Sequence, residues 1–369
     1  MRPSGMMVWT APAYGINVPN VSLNFTLRKE PPVKEITTIG LDLAKNVFQL
    51  HGVDASGAVV LRRRLRRSEM LKAFARISPC LVGMEACSGA HYWARELSAL
   101  GHEVRLLPPA YVKPYVKRGK SDAADAEAIC EAVTRPSMRF VPAKSPEAQA
   151  VLSLHKVRGM LVGQRTQTAN TLRSLLAEFG VIAAQGIAAV RKVWAGLADD
   201  ALPAAARSAL GELAGNLAAL EDRIVRLEKE ILAQRRANPI CGRLETIPGI
   251  GPIAASALAA HVPEPSVFTS GRHFSAWIGL TPRQHSSGGK ERLGHISKQG
   301  NQDLRRLLVM GATAILRRAE KEQTPQGEWL RSLLARKPAR LVITALANKL
   351  ARVAWAIMAH GGVFRARTA

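Results

Sequence analysis

An α/β domain followed by a largely all-α remainder is the fold class that this sequence predicts. Three observations predict it. Short apolar runs of strand length fill residues 36–107, two long stretches of helical periodicity follow, and a series of helical segments closes the chain. From Glu35, the segments ITTIGLDL, NVFQLHGVD and AVVLRRRL read as strands, and Asp54 and Gly57 mark an antiparallel turn between the second and third. A short helix is expected over residues 69–76. Then come the strand CLVGMEA, a helix after Ser88-Gly89, the strand HEVRLLP, and a helix for which Ser121 is a suitable N-cap. Three strands, helix, strand, helix, strand, helix is the layout of the ribonuclease-H-like fold.

Pro136, Pro142 and Pro146 mark a linker after this domain. Residues 147–179 read as one long helix with a seam at Leu154, Val157, Leu161, Thr168, Leu172, Leu175 and Phe179, interrupted at Gln164 or Arg165. A second long helix carries Leu210, Leu213, Leu217, Leu220, Ile224, Leu227 and Ile231, alternately three and four apart. The two suit either an antiparallel hairpin within one chain or a dimerisation stalk. The expected division is an N-terminal arm over 1–34, read as disordered from its poor periodicity, an α/β domain over 35–140, a helical coiled-coil region over 141–238 and a C-terminal domain over 239–369.

Charge narrows the class of partner. The 369 residues hold 52 Lys and Arg against 28 Asp and Glu, a formal net charge of +24. Such an excess attracts polyanions, nucleic acid first, because neutralising phosphates releases counterions. The apolar stretch LVITALANKLARVAWAIMAH is broken by Asn348, Lys349 and Arg352, so it reads as an amphipathic helix and no membrane is expected as partner. The first 34 residues lack the pattern of a secretory signal. Cys80, Cys87, Cys130 and Cys241 have no CxxC spacing, which argues against a disulfide framework or zinc site and for reduced core cysteines in a cytoplasmic protein.

Within this basic chain, four acids stand out. Asp42 sits among Ile39, Leu41 and Leu43, where packing alone gives a charge no place. Glu85 ends a second apolar strand. Asp122 and Asp125 lie three apart in KSDAADAEAI and share a helix face. Buried carboxylates are costly unless paired or metal-bound, and the fold order brings these segments together. Converging there, they would offer hard oxygen ligands to Mg²⁺ and serve phosphoryl transfer. The competing reading is a set of structural acids, with Asp54, Glu103 and Glu127 as surface or capping residues.

Ile247-Pro248-Gly249-Ile250-Gly251 joins two apolar helical stretches and has the look of a helix-hairpin-helix turn, in which Gly249 and Gly251 would admit a phosphate to backbone N–H groups. An ordinary tight turn fits equally. Further on, Arg283, Lys290, Arg292, Lys298, Arg305 and Arg306 surround Ser286, Ser287, Gly288 and Gly289. Those cations could bind a scissile phosphate, although on the residues alone a solvated flexible loop is the simpler reading. Arg62, Arg63 and Arg64 in LRRRLRR suit a phosphate track, as do Lys113, Lys117, Arg118 and Lys120. Tyr111, Tyr115 and Trp277 could stack on bases, with core packing the better account of Trp277.

Taken together, GLDLAKNVFQLHGVD, the Glu85 strand with its following Ser-Gly, KSDAADA, IPGIGP, GLTPRQHSSGGKERLGHISKQGN and LRRLL resemble the transposases of bridge-RNA-guided insertion sequences, a group that includes the Piv-like DNA invertases. The resemblance runs from Ile36 to the last helices. It implies a RuvC-like nuclease domain whose DEDD tetrad is Asp42, Glu85, Asp122 and Asp125, binding Mg²⁺. It implies a nucleophilic serine directly before a glycine, matched by Ser287 with Ser286 as the adjoining alternative, that forms a phosphoserine link to DNA. It further implies donor and target DNA and a structured non-coding guide (bridge) RNA as partners. Lastly, it implies a homo-oligomer, dimer or tetramer, with sites built across subunits. The function so implied is an RNA-guided DNA recombinase; a metal-dependent nuclease or junction resolvase without a serine adduct is the alternative, and a non-catalytic binding scaffold a third.

Overall fold

The computed structural model describes residues 35–117, 121–318 and 325–365. The expected N-terminal arm, Arg118 and Lys120 lie outside the described residues.

A five-stranded mixed sheet forms the first domain: β1 (Thr38–Leu43), β2 (Val47–Val53), β3 (Val59–Arg66), β4 (Leu81–Glu85) and β5 (Glu103–Leu107), ordered β3-β2-β1-β4-β5. The first three strands form an antiparallel meander, and β1–β4 and β4–β5 are parallel. The Asp54 carboxylate accepts from the N–H groups of Ser56 and Ala58, and Gly57 adopts φ 80°, which makes the predicted β2–β3 turn. Helices α1 (Met70–Phe74) and α2 (Ala90–Ala99) cover one face. They close a core of Ile39, Leu41, Phe48, Leu50, Val82, Met84, Trp93 and Leu97. After the short α3 (Pro109–Val112), α4 (Asp122–Val133) covers the other face through Ala128, Ile129 and Val133. This is the mixed α/β arrangement expected of a ribonuclease-H-like DEDD domain.

Residues 134–145 lead irregularly to α5 (Pro146–Ala177). Pro146 does not break the chain but opens this helix: the Ser145 hydroxyl accepts from the Ala148 N–H, and proline suits the first helical turn. Helix α6 (Ile187–Ala195) closes the far end, and α7 (Ala204–Arg236) returns along α5 in the same chain. On α7, Leu210, Leu217, Leu220, Ile224 and Ile231 are buried, as the heptad spacing predicts. On α5 the seam runs Leu161, Thr168, Leu172, Leu176. The expected members Val157, Leu175 and Phe179 are instead 42%, 40% and 43% exposed. A straight helix drifts about 20° per heptad from a 3.5-residue repeat, so Leu176 turns inward as Leu175 turns out. Arg158 and Glu228 pair across the hairpin at 2.5 Å.

The remaining helices share one core: α8 (Pro239–Glu245), α9 (Pro252–His261), α10 (Gly271–Ile278), α11 (Gln302–Leu316), α12 (Pro325–Leu334) and α13 (Ala339–His360). Helix α13 is the one described helix long and apolar enough to cross a membrane. Its apolar side, including Val342, Leu346, Leu350, Ala354 and Ile357, packs into this core. Between α10 and α11 stand two short strands, β6 (Pro282–Gln284) and β7 (Leu293–Ile296). Helix α5 braces the three parts. Arg95 of α2 donates to Gln149 Oε1 and to the Lys144 carbonyl, each at 2.6 Å, and His155 Nε2 lies 3.0 Å from Ser256 Oγ of α9. All four cysteines are free thiols; Cys80, Cys130 and Cys241 are buried, whereas Cys87 is exposed, outside the core expected for it.

Candidate active site

Strand alternation turns Ile39 and Leu41 into the core, both fully buried, and turns Gly40 and Asp42 to the opposite face. In the parallel pairing Gly40 stands level with Gly83 and Leu41 with Met84, so the next step along the register sets Asp42 beside Glu85. Helix α4 lies directly over the two glycines. A Cβ at Gly40 would fall 2.1 Å from the Ala126 carbonyl oxygen and 2.4 Å from the Cys130 nitrogen; one at Gly83 would fall 2.8 Å from Val133 Cβ. Only glycine admits the helix at this depth. Ser121 caps it, its hydroxyl accepting from the Ala124 N–H at 3.3 Å, and Asp122 and Asp125 occupy the first turn. Carboxylates are favoured there by the exposed N–H groups and the positive end of the helix dipole.

The ligating atoms of Asp42, Asp122 and Asp125 consequently lie within 4.8 Å of one another. Burial and then the charges of Asp125, Asp122 and Glu85 push the Asp42 carboxyl up to about 6, against a hydrogen bond from Leu43 that opposes the shift. Glu85 stands outside the 4.8 Å set yet is raised too, by burial and then by Asp125. Among the described residues, none of the four carboxylates forms an ion pair. Crowded hard oxygen donors without an ion-paired cation among the described residues fit a divalent metal ion.

The sequence reading named the acids but missed what seats them. The signal was present as a repeated spacing: Gly40-x-Asp42 and Gly83-x-Glu85, a glycine two residues before each strand acid and on the same face. It also missed His51, which is buried on β2 beside Gly40. Across the sheet in register with Asp42 come Gln49 and then Arg64. Alternation therefore divides the arginine run: Arg62 and Arg64 share the face of Asp42, while Arg63 points to the other side. Lys117 pairs with Glu127 of α4 at 2.5 Å. Lys113 sits exposed on the segment leading to α4.

The serine segment is not a long flexible loop. Strands β6 and β7 form an antiparallel hairpin, and the Lys290 N–H donates to the Ser287 carbonyl at 3.1 Å. Gly288 and Gly289 at its tip have φ 57° and 75°, the mirror-image turn that suits two-residue hairpins. Ser286 Oγ accepts from the Arg292 N–H at 3.1 Å and is part of the hairpin's bonding. Ser287 is the first residue of the turn. No hydrogen bond or ion pair joins residues 282–296 to the acidic cluster among the described residues.

The predicted basic contacts separate into two kinds. Lys290 and Arg292 are exposed on the hairpin, Lys298 follows it at φ 54°, and Arg306 is exposed on α11. Arg305 is turned inward, donating to the carbonyls of Ile278 and Gln299 at 2.6 and 3.0 Å, and Arg283 donates to the Ser297 carbonyl at 3.2 Å. Gly249 and Gly251 occupy the turn between α8 and α9. A Cβ at Gly249 would meet Ile315 and the Gly311 carbonyl of α11 at 2.7 and 2.9 Å, so packing explains that glycine; Gly251 faces open space. Trp277 stacks on Phe274 in the C-terminal core, and Tyr111 is exposed beside α4.

Residues 39–180 match the DEDD family of IS110 elements, described as Transposase, and residues 241–326 match the family described as Transposase IS116/IS110/IS902. A probable family 20 transposase of Pseudomonas aeruginosa is 51% identical, over 89% of this chain and 99% of its own length. The transposase for insertion sequence element IS1328 of Yersinia enterocolitica is 41% identical over 89% and 98%, and that for IS1111A of Coxiella burnetii 40% over 92% and 94%. With both halves matched and the relatives covered nearly end to end, the chain belongs to the IS116/IS110/IS902 family of transposases, enzymes that cut and rejoin DNA.

Proposed function

We propose that this transposase works through a phosphoserine intermediate at Ser287, with DNA phosphate held at the carboxylate cluster and its sites chosen by a guide RNA. The observation that carries the reading is the gathering of Asp42, Asp122 and Asp125 within 4.8 Å, with Glu85 near enough to share their repulsion. A divalent cation held there, Mg²⁺ by its preference for hard oxygens, would neutralise phosphate charge and assist the leaving oxygen. Asp42 and Asp125 would bind from the sheet and the helix, with Asp122 completing the set. Glu85 would complete a second position as the phosphate enters.

Ser287 Oγ forms a bond to phosphorus while one ester P–O bond breaks. The serine proton passes to solvent or a nearby base, and the leaving deoxyribose oxygen takes up a proton to become a free hydroxyl. The reverse attack by a second strand's hydroxyl rejoins DNA and releases the serine, so bond energy is conserved without ATP. Lys290, Arg292 and Lys298 around the hairpin would hold the phosphate. The lack of any hydrogen bond or ion pair between hairpin and acids among the described residues suits a dimer or tetramer in which the serine of one subunit meets the carboxylates of another.

The same lack of contact favours one rival, hydrolysis by the acidic site alone. Trapping the protein with nicked or suicide DNA and locating the adduct by mass spectrometry decides between them. An adduct on Ser287 that disappears in Ser287→Ala supports the proposal; cutting that persists in Ser287→Ala with water-derived ends supports the rival. RNA copurifying with the full-length protein, and loss of site choice on its removal, tests the guide.

A further inference from the structure

On the sheet face opposite α4 lies a cleft of about 780 Å³, lined by Asn46, Arg66, Arg67, Ser68, Tyr92 and Trp93, among others. We propose that it holds one unpaired nucleotide, base and phosphate together, of a single-stranded nucleic acid. Neither the acidic site nor the serine hairpin contributes to it.

The lining supplies both halves of such a ligand. Tyr92 of α2 is 41% exposed and packs edge-on to Trp93 at 5.1 Å, so its ring is held in place with a surface left for a base. Arg67 lies 5.2 Å from the Trp93 ring and 5.9 Å from the Phe48 ring, which fixes a planar cation at the cleft wall. Its backbone N–H donates to the Asn46 carbonyl at 2.9 Å, tying the wall to the β1–β2 loop. Arg66 is exposed next to it, and neither guanidinium has a carboxylate within ion-pairing distance among the described residues. The Glu69 carboxylate accepts from the Arg66 backbone N–H at 2.8 Å and leaves both guanidinium groups without an ion pair, so that beside the exposed Ser68 they suit a phosphate, which accepts in a bidentate manner. The Trp93 indole is 4% exposed and its Nε1–H has no hydrogen-bond partner. A buried donor left unpaired calls for an acceptor, and a shift of the overlying Arg67 toward phosphate would open it to one. The volume falls in the range of small-ligand clefts.

Position adds a reason. Val47 and Arg66 face each other where β2 and β3 meet this cleft, next to the Phe48–Leu43 pair. The cleft and Asp42 therefore share one end of β1, on opposite faces of the sheet. A strand seated in the cleft has one short loop, residues 44–46, to cross before it reaches the carboxylates. Guide RNA and a displaced DNA strand carry the same base-and-phosphate chemistry, and both are sources.

The test is binding of fluorescent single-stranded RNA, single-stranded DNA and duplex DNA decamers to the full-length protein, without Mg²⁺. Tyr92→Ala should weaken single-strand binding at least about five-fold, by the loss of one stacked base, and Tyr92→Phe should restore it. Arg67→Gln should weaken it too, and duplex affinity should hold in each. RNA binding that falls more than DNA binding assigns the cleft to the guide; the opposite assigns it to a DNA strand. Single-strand affinity unchanged in both Tyr92→Ala and Arg67→Gln, or a loss shared equally with duplex, overturns the proposal. Tyr92 is exposed, so its variants should keep the fold, which thermal unfolding checks. The readout is binding, so it stands or falls apart from the chemistry at Asp42 and Ser287.

Discussion

The acidic cluster and the serine hairpin are built in opposite ways. At the first, two glycines sit under a helix and leave no room for a Cβ, so the sheet acids and the helix acids are held by backbone packed on backbone. At the second, two glycines stand at an exposed tip with nothing within 4 Å of where a Cβ would go. Both pairs are required, one by space and the other by positive φ. The first arrangement assembles a charge centre that would repel itself apart without support. The second carries Ser287, the proposed nucleophile, on an exposed hairpin.

The sharpest way to break that contrast is to add one methyl group to each. Gly40→Ala should cost about 3–5 kcal/mol or prevent folding, since the helix backbone cannot yield. Gly288→Ala should cost only about 1–2 kcal/mol, the penalty of a left-handed residue, and should spare the sheet domain. Denaturant unfolding of the two variants measures the difference, and equal losses would remove the distinction.

Asp42 gives the next test. Its carboxyl is raised from 3.8 to about 6, so the folded, metal-free protein binds more protons than the unfolded chain between those values. Stability of the metal-free protein should thus fall as pH rises from about 4 to about 6 at this site. Asp42→Asn should raise the melting temperature by a few degrees in chelator near pH 7 while abolishing DNA cutting. Divalent-ion affinity, read by calorimetry, should weaken as pH drops below about 6, because protons then compete for Asp42. A variant that is less stable without metal would show that the crowding is not a burden.

The smallest effect concerns Cys87, the exposed thiol two residues after Glu85. Although the residue surface is exposed, partial desolvation of the thiol by its neighbours, then the charge of Glu85, raises its pKa. A cation among the carboxylates would offset that charge, so alkylation near pH 8 should quicken roughly two-fold on adding Mg²⁺. Peptide mapping of the labelled thiol would follow it, and an unchanged rate would place the ion away from Glu85.

The acids were legible because a charge inside an apolar strand has few structural reasons to exist, as at Asp42. The strand order was legible because period-two patterns and turn residues such as Asp54 and Gly57 are local. The seam of α7 was read correctly for the same reason. What escaped depends on partners far off in sequence. Gly40 means little until α4 is laid over it, and Arg305 looks like any surface cation until Ile278 at the end of α10 and Gln299 supply its carbonyls. Leu175 and Leu176 are equivalent in composition; only the neighbour α7 selects between them. The hairpin around Ser287 was hidden because its pairing rests on backbone bonds and the glycine turn, with few apolar residues to announce strands.

One consequence follows from α5 running unbroken for 32 residues. At 1.5 Å per residue it is a rod of about 48 Å, clamped near its first turns to α2 through Arg95 and to α9 through His155. Such a rod has its fulcrum at the sheet domain. A tilt of about 10° there would swing the far end by about 8 Å, given that length. The remote tip, near the exposed Phe179 and Ile182, would move furthest in any such tilt.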